Sequence, residues 1–317
     1  MRHLVVKERD GRYEATIATA PDPVPGQGEV LVRVAASGLN RADLSQIAGR
    51  YPAPPGESPL LGMDVSGTRA DNGETVCALV GGGGHADLVA VPTGQLLPVP
   101  KGMDVAHAAG IPEAYLTAYL NLVIEAGLGA GQAALIHAGA SGVGLAAIQV
   151  AKFLGARVAA TTRTPAKLGA LRDAGADLVI DTSATRFGEA VAEAWGRDAV
   201  HVVLDPVGGS TLAGDLRVLA PGGRVIFLST MSGREGPLDI ALLMSKHATI
   251  VGSTLRSRSR AEKADLVAKF RDRMLAGFAD GRLRVVVDLI YPLTQAAAAF
   301  QRMHDNANIG KILIDWR

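Results

Sequence analysis

The sequence predicts an α/β protein whose middle carries a doubly wound parallel sheet. Two observations predict it: short apolar runs alternate with helical segments from about residue 117 to 257, and the glycine-rich stretch HAGASGVG at 137–144 sits between an apolar run and a small-residue helix. Strands that alternate with helices need right-handed crossovers, and these build a parallel sheet. A chain of 317 residues is also too long for one ordinary core and fits two domains.

Taken in order, the chain first reads as β. In PGQGEVLVRVAASGLN the prolines and glycines end at Gly28, after which Val30, Val32 and Val34 alternate with Leu31, Arg33 and Ala35, as on a strand. A proline-rich loop, GRYPAPPGESP, follows, and then the tract GGGG at 81–84. The stretch after that tract, HADLVAVP, reads as a strand, so no helix start is there to hold an anion and a mobile loop is expected. In the α/β portion AALIH is the first strand, GVGLAAIQVAKFLG a helix, RVAATT the second strand, and PAKLGALRDAG a helix with Pro165 near its start. DLVID, HVVLD, GRVIFL and ATIVGST continue the series. The end of the chain offers a charged helix (AEKADLVAKFRDRML), a strand (RVVVDLIYP), an alanine-rich helix and a closing strand, GKILIDW.

Composition narrows the function. Apolar residues make up 48% and charged ones 20%, which describes a well-buried globular protein. A formal net charge of +1 supplies no basic field for nucleic acid or an anionic membrane. The single cysteine, Cys77, excludes an internal disulfide and any site of several thiolates, and it reads as a buried apolar group. No apolar run reaches the roughly 18 residues of a membrane span. The charged start MRHLVVKERDGRYE is unlike a secretory leader, so a cytoplasmic location is expected.

The loop at 137–144 has the strand–turn–helix setting that a dinucleotide fingerprint requires. Its backbone N–H groups and the helix dipole favour a pyrophosphate. Against G-x-G-x-x-G, Gly139 and Gly144 match, Ser141 takes the middle place and Gly142 follows it; Ala140 and Val143 complete the loop. The same letters begin a nucleophile elbow, G-x-S-x-G, but Val143 stands where its second glycine belongs, so Ser141 reads as a turn residue. The end of the second strand selects the dinucleotide. An NAD site places a carboxylate there for the ribose hydroxyl, whereas this chain has Thr162, followed by Arg163 and Lys167. A missing carboxylate beside two cations suits the 2′-phosphate of NADPH.

These residues, with PGQGEVLVRVAASGLNRADL, GRYPAPPGESPLLGMDVSG, IPEAYLTAYLNL, DPVGG, GSTLRSRSRAEK and NIGKILIDW, give the chain a resemblance. It resembles the medium-chain dehydrogenase/reductase superfamily, in its zinc-free quinone oxidoreductase branch that includes zeta-crystallin, and within that the tumour-suppressor-inducible group. The resemblance implies a Rossmann domain, 117–256, inserted into a mainly-β GroES-like catalytic domain of 1–116 and 257–317. It also implies a cleft between the domains, a homodimer, NADPH as hydride donor, and a small quinone or α,β-unsaturated carbonyl as acceptor. Enoyl-thioester reduction on the same scaffold and a non-catalytic, crystallin-like NADPH-binding protein are the alternatives.

Zinc-bearing relatives place a cysteine ligand where this chain has Asn40, and Gly-His-Glu where it has Gly62-Met63-Asp64. A thioether is a poor zinc ligand, so no metal is expected. Hydrogen-bond donors must then meet the charge that grows on the acceptor oxygen. The resemblance puts Asn40 and Tyr51 in that pocket and Thr117 beside the nicotinamide; where some relatives carry a second pocket tyrosine, this chain has Ser45. Gly208 and Ser229 fall at strand ends where open α/β sheets bind ligands. Arg256 and Arg258, in TLRSRSR, are expected to reach the cofactor or the acceptor, Asp43 and Asp64 to brace the loop, and His137 to pack rather than titrate.

Overall fold

The computed structural model describes residues 1–317. The chain folds into two compact units, Met1–Leu116 with Leu255–Arg317, and Thr117–Thr254. The return to the first unit thus comes at Leu255, two residues before the expected 257, which moves Arg256 out of the nucleotide unit.

The first unit opens with a hairpin, Arg2–Arg9 against Arg12–Thr19. Asp10 and Gly11 make its two-residue turn, both at positive φ (51° and 76°), the Asp-Gly chemistry that suits a right-twisted hairpin. Its main sheet is organised around the strand Glu29–Leu39. That strand pairs with Leu88–Pro92 near its start, with Asp64–Arg69 beyond it, and with the closing strand Lys311–Asp315 at its end. Val32, Val34, Val65, Val91, Ile312, Ile314 and Phe300 form the core beneath it. The register has a chemical consequence: Asp64 stands opposite Gly38, and Ile312 stands opposite Leu39. Three distant stretches of sequence therefore converge at 38–40. Gly38 is required there, since a Cβ would lie 2.4 Å from Asp64 Oδ1 and 2.9 Å from the Ala109 carbonyl.

The tract Gly81–Gly84 is not the mobile loop that the sequence suggested. All four glycines are buried. A Cβ on Gly82 would sit 2.1 Å from the Ser58 carbonyl, and one on Gly62 would sit 2.3 Å from the His85 nitrogen. Two loops pack backbone to backbone here, and only residues without side chains allow it.

In the second unit the six parallel strands run, in space, Leu178–Asp181, Arg157–Thr162, Ala133–Ile136, Val200–Asp205, Leu219–Phe227 and Thr249–Gly252. In chain order this is 3-2-1-4-5-6, the doubly wound arrangement whose direction reverses between the first and fourth strands. No helix of the chain is long and apolar enough to cross a membrane.

Candidate functional site

The nucleotide-unit loop follows Ala133–Ile136 directly and leads into the helix Gly142–Phe153. Ala138 adopts φ 49°, so the chain turns sharply where the strand ends. Ser141 is the helix N-cap, and its Oγ accepts the Gly144 N–H at 3.0 Å. That explains serine in a glycine's place, and the hydroxyl's capping role removes the nucleophile reading. Gly144 cannot be replaced, since its Cβ would meet the Ala138 and Gly139 carbonyls at 2.5 and 2.7 Å. A Cβ on Gly139 would press on Leu171 and Ala160 at 3.1 and 3.2 Å. Ala140 is buried, while Gly142 and Val143 remain partly open at the helix start. A tight turn opening onto a capped helix N-terminus presents backbone N–H groups and the positive end of the helix dipole, a geometry that suits an anion.

At the end of Arg157–Thr162 the Thr162 hydroxyl accepts the Thr164 N–H at 3.2 Å. Arg163 is exposed and forms no ion pair, and Lys167 closes the short turn Pro165–Lys167. The nearest strand-end carboxylate, Asp181, is in register with Thr162, but its Oδ1 is taken by the Ser183 N–H and hydroxyl at 2.9 and 2.6 Å. Gly208 has φ 96° in the turn after Val200–Asp205, where Asp205 Oδ1 accepts its N–H at 3.1 Å. Ser229 is exposed just beyond Leu219–Phe227.

Thr117 lies in the helix Pro112–Tyr119 and is buried, yet its Oγ1 has no hydrogen-bond partner. Its carbonyl accepts the Asn121 Nδ2 at 2.7 Å, within a π-helical stretch Leu120–Glu125, and Asn121 Oδ1 is also unpartnered. Two buried polar atoms, Thr117 Oγ1 and Asn121 Oδ1, are thus unpaired where the α-helix passes into the π-helical turn.

His137 does not merely pack. Its Nε2 lies 2.8 Å from Asp215 Oδ1 and its Nδ1 2.9 Å from the Thr161 hydroxyl, all buried. Burial pushes the Asp215 carboxyl up to about 7, and the Asp215 charge holds His137 above its ordinary value against the opposing effect of burial. A buried imidazole has to satisfy both nitrogens, and a partner 78 residues away supplies the second bond.

In the first unit the convergence at 38–40 makes a buried polar centre. Lys311 Nζ donates to Asn40 Oδ1 at 2.7 Å, Asp64 Oδ2 at 3.0 Å and the Leu39 carbonyl at 3.2 Å. Asn40 Nδ2 donates to Asp64 Oδ1 at 3.0 Å and to the Gly38 carbonyl at 3.2 Å. The amide of Asn40 is thus fully committed, and it holds Lys311 and Asp64 together instead of standing free to donate to an acceptor. Asp43 braces the loop as expected, taking the Asn40 N–H at 2.7 Å and the Gly62 N–H at 3.1 Å.

Tyr51 is half-buried, and its hydroxyl has no protein partner. Burial raises its pKa, the charge of Glu113 adds to that, and Arg256 opposes it. Arg256, expected at the cofactor, instead clamps this loop. Its guanidinium lies 5.2 Å from the Tyr51 ring centroid and donates to the Tyr51 carbonyl (3.2 Å), the Gly81 carbonyl (2.8 Å) and Gln46 Oε1 (2.8 Å). Only 3% of it is exposed, so it is a positioning group for Tyr51. Lys311 does not stand out in the sequence, because only strand register brings it to Asn40 and Asp64.

No group of three or more His, Cys, Asp or Glu side chains is placed to hold a metal ion. Met63 is buried, and the Lys311 ammonium already supplies the positive charge beside Asp64 and Asn40, so these residues do not fit a zinc ion.

The comparisons with known proteins agree with this layout. Residues 26–101 match the family described as "Alcohol dehydrogenase GroES-like domain", and 142–270 match "Zinc-binding dehydrogenase". A quinone oxidoreductase of Sus scrofa is 30% identical, with 92% of this chain and 90% of that protein covered. The crystal structure of a quinone oxidoreductase from Thermus thermophilus, studied also in complex with NADPH, superposes with a TM-score of 0.83 at 33% identity, over 99% of this chain and all of that one. A polyketide synthase system protein of Streptomyces orinoci is 35% identical over 90% of this chain, which spans only 13% of that protein. The chain therefore belongs to the medium-chain dehydrogenase/reductase superfamily, with quinone oxidoreductases among its full-length relatives, and is an oxidoreductase with a nicotinamide cofactor.

Proposed function

We propose that this protein is an NADPH-dependent reductase of quinones or α,β-unsaturated carbonyls that works without a metal ion. The observation that carries this reading is the loop Ala138–Gly144 with its capped helix, followed at the next strand end by Thr162 and the unpaired Arg163 where an NAD site would have a carboxylate. Gly139, Ala140, Ser141, Gly142, Val143 and Gly144 would hold the pyrophosphate, and Thr162, Arg163 and Lys167 the 2′-phosphate. Thr117, Gly208 and Ser229 would line the nicotinamide end, the orphaned Thr117 hydroxyl finding its partner there. When bound, the nicotinamide supplies a hydride.

The acceptor oxygen then gains negative charge, and Tyr51, whose hydroxyl has no protein partner, is the donor that meets it. Arg256 holds the Tyr51 loop, while Asn40, Lys311 and Asp64 form the rigid floor that takes a metal's place. Preorganised donors lower such a barrier because they need no reorganisation during the reaction.

The chain is further proposed to be a homodimer. The strand Thr249–Gly252 is an unpaired sheet edge, and Ile240 and Met244 near it in sequence are 62% and 69% exposed.

Identity with polyketide synthase proteins favours a second reading, reduction of an enoyl thioester, and Ser45 in place of a second pocket tyrosine leaves room for a longer acceptor. The test is NADPH oxidation, followed by absorbance, with quinones, simple enones and enoyl thioesters, each with and without a metal chelator. Turnover of quinones or enones that the chelator leaves unchanged is expected. Activity with thioesters alone selects the second reading, and activity lost to the chelator and restored by zinc contradicts metal-free catalysis.

A further inference from the structure

His137 stands where the first strand of the nucleotide unit runs out, and the reductase reading gives its side chain no task. The ladder to the second strand ends with Ile136 opposite Ala160. Beyond that pair the Gly139 N–H donates to the Thr161 carbonyl at 2.8 Å, and His137 Nδ1 lies 2.9 Å from the Thr161 hydroxyl. The imidazole thus continues the tie between the two strands after their backbones have parted. Thr162 and Arg163 follow Thr161 directly, so the tie fixes the last step of the strand before them.

The other ring nitrogen reaches a different segment. His137 Nε2 lies 2.8 Å from Asp215 Oδ1. The Asp215 N–H donates to the Thr211 carbonyl at 2.9 Å, and the Thr211 hydroxyl donates to Asp205 Oδ2 at 2.6 Å. Asp205 Oδ1 in turn accepts the Gly208 N–H at 3.1 Å. One imidazole therefore joins the end of the second strand to the turn at Gly208, while its own backbone leads into the glycine loop. His137, Thr161, Asp205 and Asp215 are each at most 3% exposed, and the Phe187 ring closes over the imidazole at 4.7 Å between centroids. Removing a partner here leaves a buried polar atom that water does not reach.

Resting on the NADPH reading, we propose that His137 is a positioning residue for nucleotide selection, acting through its bond to Thr161 on the strand end that would meet the 2′-phosphate. Its bond to Asp215 steadies the turn at Gly208, on the nicotinamide side of the same site. The nicotinamide end is common to NADPH and NADH, whereas the 2′-phosphate belongs to NADPH alone. The two arms of the imidazole therefore have separable effects: the Thr161 arm bears on the choice between the nucleotides, and the Asp215 arm on the affinity for both.

Calorimetric titration with NADPH and with NADH tests this. A glutamine amide reaches about as far as Nε2 and an asparagine amide about as far as Nδ1, and each can donate and accept. His137→Gln keeps a partner for Asp215 and drops Thr161; it should weaken NADPH binding by about 3- to 10-fold and NADH binding by less than about twofold. His137→Asn keeps Thr161 and drops Asp215; it should weaken both nucleotides alike and preserve the wild-type ratio. Thr161→Val removes the hydroxyl at nearly the same shape, should repeat the His137→Gln result, and carries the test if the His137 variants do not fold. A residue that served stability alone would lower the melting temperature in all three and leave the ratio of affinities untouched. A wild type that prefers NADPH, with that ratio unchanged in Thr161→Val, overturns the role of His137. A wild type that binds both nucleotides equally instead overturns the NADPH reading, and this proposal with it.

Discussion

Each unit contains a buried, hydrogen-bonded acid–base pair, Lys311–Asp64 in the first and His137–Asp215 in the second, and the two differ. In the first, both oxygens of Asp64 are satisfied, Oδ1 by Asn40 and Oδ2 by Lys311, and the ammonium makes three hydrogen bonds. Burial raises the Asp64 pKa, and the charge and hydrogen bond of Lys311 and the Asn40 amide oppose that rise. In the second, His137 meets Asp215 through one oxygen only, and Asp215 Oδ2 has no partner. Burial pushes the Asp215 carboxyl up to about 7, against the charge and hydrogen bond of His137. Burial raises both acids, and they differ in how many of their oxygens are hydrogen-bonded.

The largest effect should follow from breaking the ionic pair. Lys311→Met leaves Asp64 buried without its cation and should cost about 3–5 kcal/mol in urea unfolding. Adding Asp64→Asn to that variant should recover much of the loss. An additive double mutant would mean that the two groups are not coupled, and the comparison between the pairs would fail.

The His137–Asp215 pair should reveal itself through pH. Both folded-state pKa values are raised, so the unfolded chain releases these protons first as pH increases. The stabilisation is complete below the unfolded values and is lost as pH rises through the folded ones; for Asp215 this window runs from 3.8 to about 7. Asp215→Asn should therefore cost about 1–3 kcal/mol at acid pH and less at mildly alkaline pH, read by thermal melting. A cost that does not change with pH would mean the pair holds no shared proton.

The two units also differ in how far the sequence disclosed them. The nucleotide loop was legible because its signal is local: strand, turn, Ser141 cap and helix lie within HAGASGVGLAAIQVAKF, and the helix dipole needs nothing from afar. The polar centre of the first unit was not legible, because Lys311 reaches Asp64 across 247 positions through strand register alone. Arg256 reads in the sequence as a ligand contact, and only the fold brings the Gly81 and Tyr51 carbonyls and Gln46 Oε1 around it. The tract at 81–84 was misread because the crowding that demands glycine comes from 58–62. Asn40 was found by resemblance, but its commitment to Lys311 belongs to tertiary structure.

The smallest of these effects in energy bears most directly on the central claim, that the loop before Leu145 and the end of the second strand bind NADPH. Calorimetric titration of the wild type with NADPH and with NADH should give tighter binding of NADPH by about tenfold or more, roughly 1.4 kcal/mol. Thr162→Asp should weaken NADPH binding and leave NADH binding nearly unchanged, as a carboxylate repels the 2′-phosphate. Equal affinity for both nucleotides in the wild type, or equal loss of both in Thr162→Asp, would contradict the account.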